Sequence, residues 1–311
     1  MRLSHVIAVL EELYPPSWAE PWDAVGLVCG DPDQEVGRVL FAVDPVAAVL
    51  DEALEWGADL VVTHHPLLLR GVTSVAATTP KGRLVHRMIS NGVALYTAHT
   101  NADVADPGVS DALARAVGLS GELRPLAPTA PRHGLGRSGE LPEPMAPAAA
   151  DPRRGLGRIG ALPAPMTLRD FTARAASGLP ATAWGVRAAG DPERIVHTVA
   201  VCGGAGDSLL DTARAAGVDV YLTADLRHHP ASEFAEHDGP ALVDAAHWAT
   251  EWPWLADAEH RLAGGVPREA APKLETRVSA LVTDAWRLHD ASPAAGPQTP
   301  GPAPEASEGA K

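Results

Sequence analysis

Four short stretches of this chain carry imidazoles and carboxylates in patterns that suit metal chemistry. They are VVTHHPLL (61–68) with His64 and His65, AHTNAD (98–103) with His99 and Asp103, TADLRHHP (223–230) with Asp225, His228 and His229, and AHWATE (246–251) with His247 and Glu251. A neutral imidazole gives one lone pair to a metal, and a carboxylate has two oxygens that can bridge two. That mixture of nitrogen and oxygen donors suits Zn, Mn, Fe or Co. Taken singly, a histidine at a strand end is more often a hydrogen-bonded structural residue, and one His-x-x-x-Glu spacing is weak evidence. Several such groups at strand ends tip the reading to a metal site. On one continuous helix His247 and Glu251 would share a face. The preferred geometry has His247 closing a strand, Thr250 as N-cap and Glu251 opening the helix. Pro253 is then tolerated in the first turn, and the helix dipole favours the carboxylate.

Positioning these groups requires strands that end together. ADLVVT, before His64, is an apolar β-branched run of the kind buried on both faces, and Pro66 turns the chain. RVLFAVD (38–44), VALYTAH (93–99), IVHTVAVC (195–202), VDVYLTAD (218–225) and ALVDAAH (241–247) read as further strands, and ETRVSALVT (275–283) as a candidate last one. Helical spacing over 46–57, 84–92, 109–119 and 167–179 alternates with them. Strand–helix alternation predicts parallel sheets flanked by helices, with ligands at the carboxyl ends of the strands. CGGAG (202–206) reads either as a phosphate cradle at a helix start or as a tight turn.

The middle of the chain departs from this pattern. PRHGLGRSGELPEPM starts at 131 and PRRGLGRIGALPAPM at 152. One duplication does not make a solenoid. The second copy, which runs into the 167–179 helix, is taken as structural and the first as a loop. The expected organisation is a first α/β domain over 1–127, a Pro/Gly-rich insert over 128–151, a second α/β portion over 152–289 that can pack back on the first, and a disordered tail over 290–311.

The net charge of −14 on 311 residues argues against nucleic acid and anionic membranes as partners. The sequence has no apolar run of about 18 residues. MRLSHVIAVLEELYPP reads as an amphipathic helix rather than a signal peptide. Two distant cysteines, Cys29 and Cys202, fit reduced thiols in the cytoplasm.

PWDAVGL (21–27), VVTHHPLL, YTAHTNAD, GLGRIGAL (155–162), CGGAG, TADLRHHP and AHWATE occur in the order found in one family. Over residues 1–289 the chain resembles the Nif-three-like dinuclear-metal hexameric proteins, also called GTP cyclohydrolase 1 type 2 homologs, in their short form without a large inserted domain. The resemblance implies two similar α/β domains with a metal cleft between them and a toroidal homohexamer. It implies two divalent metal ions per chain (Zn, Fe, Mn or Co), with His64 and His65 on separate metals, Asp103 and His247 as further ligands and Glu251 as a bridge. By the same resemblance His99 is an extra ligand or an orienting group, Asp225 and His229 lie on the substrate side, and Trp22 and Asp23 shape the cleft rim. The family usually reads Thr-Gly-Asp where this chain has Thr223-Ala224-Asp225, so a positive φ in that turn would fall at a cost on Ala224.

The implied chemistry is metal-assisted attack of water on a nucleotide base, such as C8 of GTP. His99, Asp225 or His229 would move protons, and the 203–206 amides with Arg70 or Arg227 would hold the phosphates. A dinuclear phosphoesterase and a non-enzymatic metal carrier or scaffold are the alternatives.

Overall fold

The structure, a computed structural model, describes residues 1–129, 151–266 and 274–290. The first copy of the duplicated segment and the tail beyond 290 lie outside the described residues. The chain begins with α1 (Leu3–Leu13), β1 (Gly26–Cys29), β2 (Arg38–Ala42), α2 (Ala47–Trp56), β3 (Leu60–Thr63), α3 (Pro80–Ser90), β4 (Ala94–Thr97), α4 (Thr100–Val104) and α5 (Val109–Ala116). It continues with β5 (Ser120–Pro128), β6 (Gly155–Thr167), α6 (Leu168–Gly178), β7 (Val186–Ala189), β8 (Ile195–Ala205), α7 (Leu210–Ala215), β9 (Val220–Ala224), α8 (His228–Ala235), β10 (Ala241–Ala245), α9 (His247–Gly265) and β11 (Glu275–Val278).

These elements form two mixed sheets. The first has the order β1-β4-β3-β2-β11 and the second β5-β6-β8-β9-β10-β7. Both have parallel centres: β11, β2, β3 and β4 in the first, and β8, β9 and β10 in the second. The antiparallel edge strands β1 and β7 and the β5–β6 pair depart from the all-parallel expectation. Sequence alternation cannot reveal this, because a strand's direction is set by its partner.

The inner parallel strands β3, β4, β9 and β10 are buried on both faces, so their side chains divide between two cores. In β3, Leu60 and Val62 join the central cluster while Val61 faces Val49, Leu50 and Met88 of α2 and α3. In β9, Val220 and Leu222 join the same central cluster, and Tyr221 faces Leu210 and Phe234 on the outer side. The central cluster takes residues from both sheets, together with Leu113 of α5 and Trp254 and Leu255 of α9.

The expected domain boundaries shift with this topology. β5 already belongs to the second sheet, and β11 returns to the first, beside β2. Local signals set several element ends. Gly57, in the left-handed region at φ 73°, stops α2. α3 starts at Pro80, earlier than its apolar spacing suggests, because the Thr79 hydroxyl caps the Gly82 amide. Both cysteines are free and buried. Among the described residues, no helix is long and apolar enough to cross a membrane.

Candidate metal centre

The two sheets bring the carboxyl ends of their parallel strands to one cleft. β3 delivers His64 and His65, β4 delivers His99 and, one helical turn on, Asp103, and β10 delivers His247. α9 begins at His247, not at Glu251. Ala246 is the N-cap, and its carbonyl accepts the Thr250 amide at 3.1 Å. Thr250 is therefore inside the helix. Its hydroxyl donates to the His247 carbonyl at 2.7 Å and accepts the Gly204 amide at 2.9 Å, which ties the helix to β8. His247 and Glu251 consequently share a helix face, with Nε2 to Oε1 at 2.9 Å. Pro253 lies inside the helix and forgoes one ladder hydrogen bond.

Glu251 sits at the centre, only 3% exposed. Oε1 faces His247 Nε2 and, at 3.4 Å, His64 Nε2. Oε2 lies 3.0 Å from His65 Nε2, yet the pair is not aligned as a hydrogen bond, and both Oε2 and His64 Nε2 are buried without a hydrogen-bond partner. Asp103 Oδ1 stands 3.7 Å from His64 Nε2. The donors fall into two groups whose ligand atoms lie within 4.8 Å of one another: His64, His65 and His99, and His65, His247 and Glu251.

All four imidazoles present Nε2 because Nδ1 is taken. His65 Nδ1 meets Asp44 at 2.7 Å, His247 Nδ1 meets Asp225 at 2.7 Å, His99 Nδ1 meets Asp23 at 2.9 Å, and His64 Nδ1 meets the Ala98 carbonyl at 2.9 Å. Each partner can only accept, so each Nδ1 donates and a neutral ring keeps its lone pair on Nε2. His65 Nε2 and His247 Nε2 then face each other at 3.2 Å. Two lone pairs at that distance repel unless a proton or a metal ion lies between them. The orphaned atoms and the N/O donor set fit a metal ion.

The charges agree. Glu251 is deeply buried, yet His247, His65 and His64 hold its pKa well below the usual carboxylate range. Burial works against a charged His65, but Glu251 and Asp44 lift its pKa to about 10. Glu251, with Asp225 helping against burial, lifts that of His247 to about 11. Burial raises the pKa of Asp103 against the pull of His64 and His99. The cluster is built to hold positive charge around one carboxylate.

Three outer carboxylates do the orienting. Asp23 is more than a rim residue: burial opposes its charge, but His99 and Thr100 bring its pKa down to about 2. Trp22 beside it is exposed and meets the His99 ring edge-on. Asp225, rather than Ala224, takes the left-handed conformation, at φ 57°. Aspartate tolerates that region better than most residues, and its carboxylate is thereby turned onto His247. Its Oδ2 is committed there, which makes Asp225 an orienting group rather than a free proton carrier. Asp44 was not singled out from sequence. Its signal is its place at the end of β2, immediately before Pro45, on the same sheet edge as His65.

His229 is not brought to the cleft. It is exposed on α8, and its ring contact is with His228. The 203–206 stretch is no phosphate cradle, since it continues β8 to Ala205 and its first two amides already donate to Ser110 and Thr250. Arg227 is paired with Asp207. Gly204 has another role: at φ 69°, a Cβ there would lie 2.5 Å from Glu251 Oε1 and 3.2 Å from His247 Nε2. Gly204→Ala is expected to leave the protein folded, cost about 1–2 kcal/mol of stability through the left-handed backbone and lower metal content by displacing Glu251. Metal analysis beside a denaturant titration checks both effects.

The family model for Duf34/NIF3 (NGG1p interacting factor 3) matches residues 1–284. A "GTP cyclohydrolase 1 type 2 homolog" of Streptomyces coelicolor is 57% identical over 295 residues, covering 94% of this chain and 95% of that relative. Among solved structures, a Bacillus cereus protein related to NIF3 aligns with a TM-score of 0.80 at 26% identity, over 93% of this chain and 99% of its own. A hypothetical protein of Staphylococcus aureus aligns with a TM-score of 0.81 at 29% identity, with the same coverage.

Proposed function

Because this chain belongs to the Duf34/NIF3 family, we propose that it is a dinuclear metal-dependent hydrolase, assembled as a homohexamer and acting on a nucleotide such as GTP. The observation that carries the metal reading is the pair of Nε2 atoms of His65 and His247 facing each other at 3.2 Å while each Nδ1 is held by a carboxylate. His65 lies in both donor groups but has one free lone pair, so two ions would divide the imidazoles between them, with the two Glu251 oxygens in reach of both sides. Bound there, divalent ions supply Lewis acidity and bring the pKa of water toward neutrality.

The protein's own groups have separable tasks. His64, His65 and His247 would hold the ions from directions fixed by their Nδ1 partners, and Asp103 would complete the His64 side. His99 has Nδ1 held by Asp23 and Nε2 turned to the cleft, so it can be a further ligand or take up and return a proton at Nε2. A cavity of about 490 Å³ bordered by His65, His99, His247 and Lys81 offers room for substrate. Opening a base ring, as the relatives' name suggests, requires an activated water at the carbon to be attacked and a proton for the departing nitrogen.

The test is metal analysis and native mass of the untagged protein, followed by incubation with GTP and measurement of released formate. About two transition metals per chain in a hexamer, with turnover, supports the proposal. A metal-free protein that stays folded overturns it, and metals without turnover on any nucleotide favour a metal carrier. Asp44→Asn and Asp225→Asn test the outer carboxylates separately. Each is expected to weaken metal binding by about 10–100-fold with the fold intact, measured by competition with a chromogenic chelator.

A further inference from the structure

A second cavity, of about 420 Å³, adjoins the metal-facing one. The two share Asp44, His65, Pro66 and Lys81. The second cavity has an apolar floor, made by Pro45, Leu67 and Leu84, and a cationic rim, made by Lys81 and Arg83. The chain carries a net charge of −14, so a local excess of cations stands out. Arg87 on the same wall bonds Asp51 at 2.5 Å. Among the described residues no acid pairs with Lys81 or Arg83. The one acid on the wall, Asp44, is already engaged by His65 and Thr283. α2 also opens onto this cavity at Val46, which has no side-chain oxygen to cap the first amides.

We infer that this cavity binds an organic phosphate ester, with Lys81 and Arg83 on the phosphate, the organic group on the Pro45–Leu67–Leu84 floor, and the far end of the molecule at the metal centre. Two free cations over an apolar floor select an anion that carries an apolar or planar body. The guanidinium fork of Arg83 matches phosphate oxygens, and Lys81 adds a point charge where the two cavities meet. Free amides at the start of α2 add to the same field. The inference deepens the hydrolase reading and rests on it for the chemistry at the far end, while the binding step stands on the cavity alone. The phosphate-holding groups are then Lys81 and Arg83, not Arg70, which is exposed and borders neither cavity, nor Arg227 or the 203–206 amides.

The experiment is calorimetric titration of the full-length protein, as isolated, with phenyl phosphate and with inorganic phosphate, metal content being measured on the same samples. The wild type is expected to bind phenyl phosphate more tightly than inorganic phosphate. K81E and R83E are each expected to weaken phenyl phosphate at least about tenfold without loss of metal. V46D places a capping carboxylate at the start of α2. Its unfolding temperature is expected to hold or rise while phenyl phosphate binding falls, which separates lost binding from lost folding. No binding by the wild type, or affinities within about twofold in all three variants, overturns the inference, because phosphate bound directly to the metals is indifferent to the rim. Repeating the titration after chelation distinguishes the two readings. Rim-dependent binding in a protein that takes up no metal leaves the subsite standing and removes the hydrolase.

Discussion

Glu251→Ala is expected to abolish metal binding while the fold persists. The residue is a buried carboxylate set among three imidazoles, with one oxygen toward His64 and His247 and the other toward His65. Groups that merely orient a metal ligand are worth about 10–100-fold in affinity, so loss of the shared donor is expected to exceed about 100-fold. His64→Ala separates the two halves of the site. It removes the orphaned Nε2 beside Asp103 but leaves His65, His247 and Glu251 as a complete three-donor group. Its expected metal content is about half that of the wild type. Elemental analysis of both variants, with circular dichroism as the control for folding, decides the matter. Full metal content in both would sink the site described here.

The second large effect lies away from the cleft. Asp111→Ala is expected to cost about 3–5 kcal/mol of stability, read from guanidinium unfolding. Arg158, from the GLGRIG stretch of β6, is 1% exposed, and its guanidinium pairs with Asp111 of α5 through Nε at 2.9 Å and Nη2 at 2.8 Å. Its remaining donors go to the carbonyls of Gly155, Gly157 and Ala105. Deleting the carboxylate strands a buried charge, which the carbonyls solvate only in part. A buried ion pair can often be exchanged for apolar residues at little cost. Here the double replacement D111L/R158M is expected to recover little, because three carbonyls would lose their donors. A loss below about 1 kcal/mol for Asp111→Ala would show that the pair carries no such weight.

Much of the site was legible because its candidate donors sit where sequence rules are strong. A β-branched run ending in His-His-Pro marks a buried strand and its end, and the same reasoning locates His99 and His247. The errors share one cause. The start of α9, the conformation of Asp225 and the fate of the 203–206 amides all depend on partners distant in sequence. Thr250 looks like an N-cap until β8 supplies the Gly204 amide that its hydroxyl accepts. His229 sits two residues past an arginine on an exposed helix, and the TADLRHHP stretch by itself says nothing about the direction of that helix.

The sequence by itself determined the α/β class, the strands that end in imidazoles and the donor types, because burial periodicity and coordination chemistry are local properties. Only the tertiary structure decided that two sheets turn these ends toward one cleft, and that β11 returns to the first sheet. It also decided that Asp23, Asp44 and Asp225 fix the ring nitrogens. Those outcomes rest on contacts between residues such as His65 and His247, far apart in the chain and adjacent only once both sheets pack on the shared core.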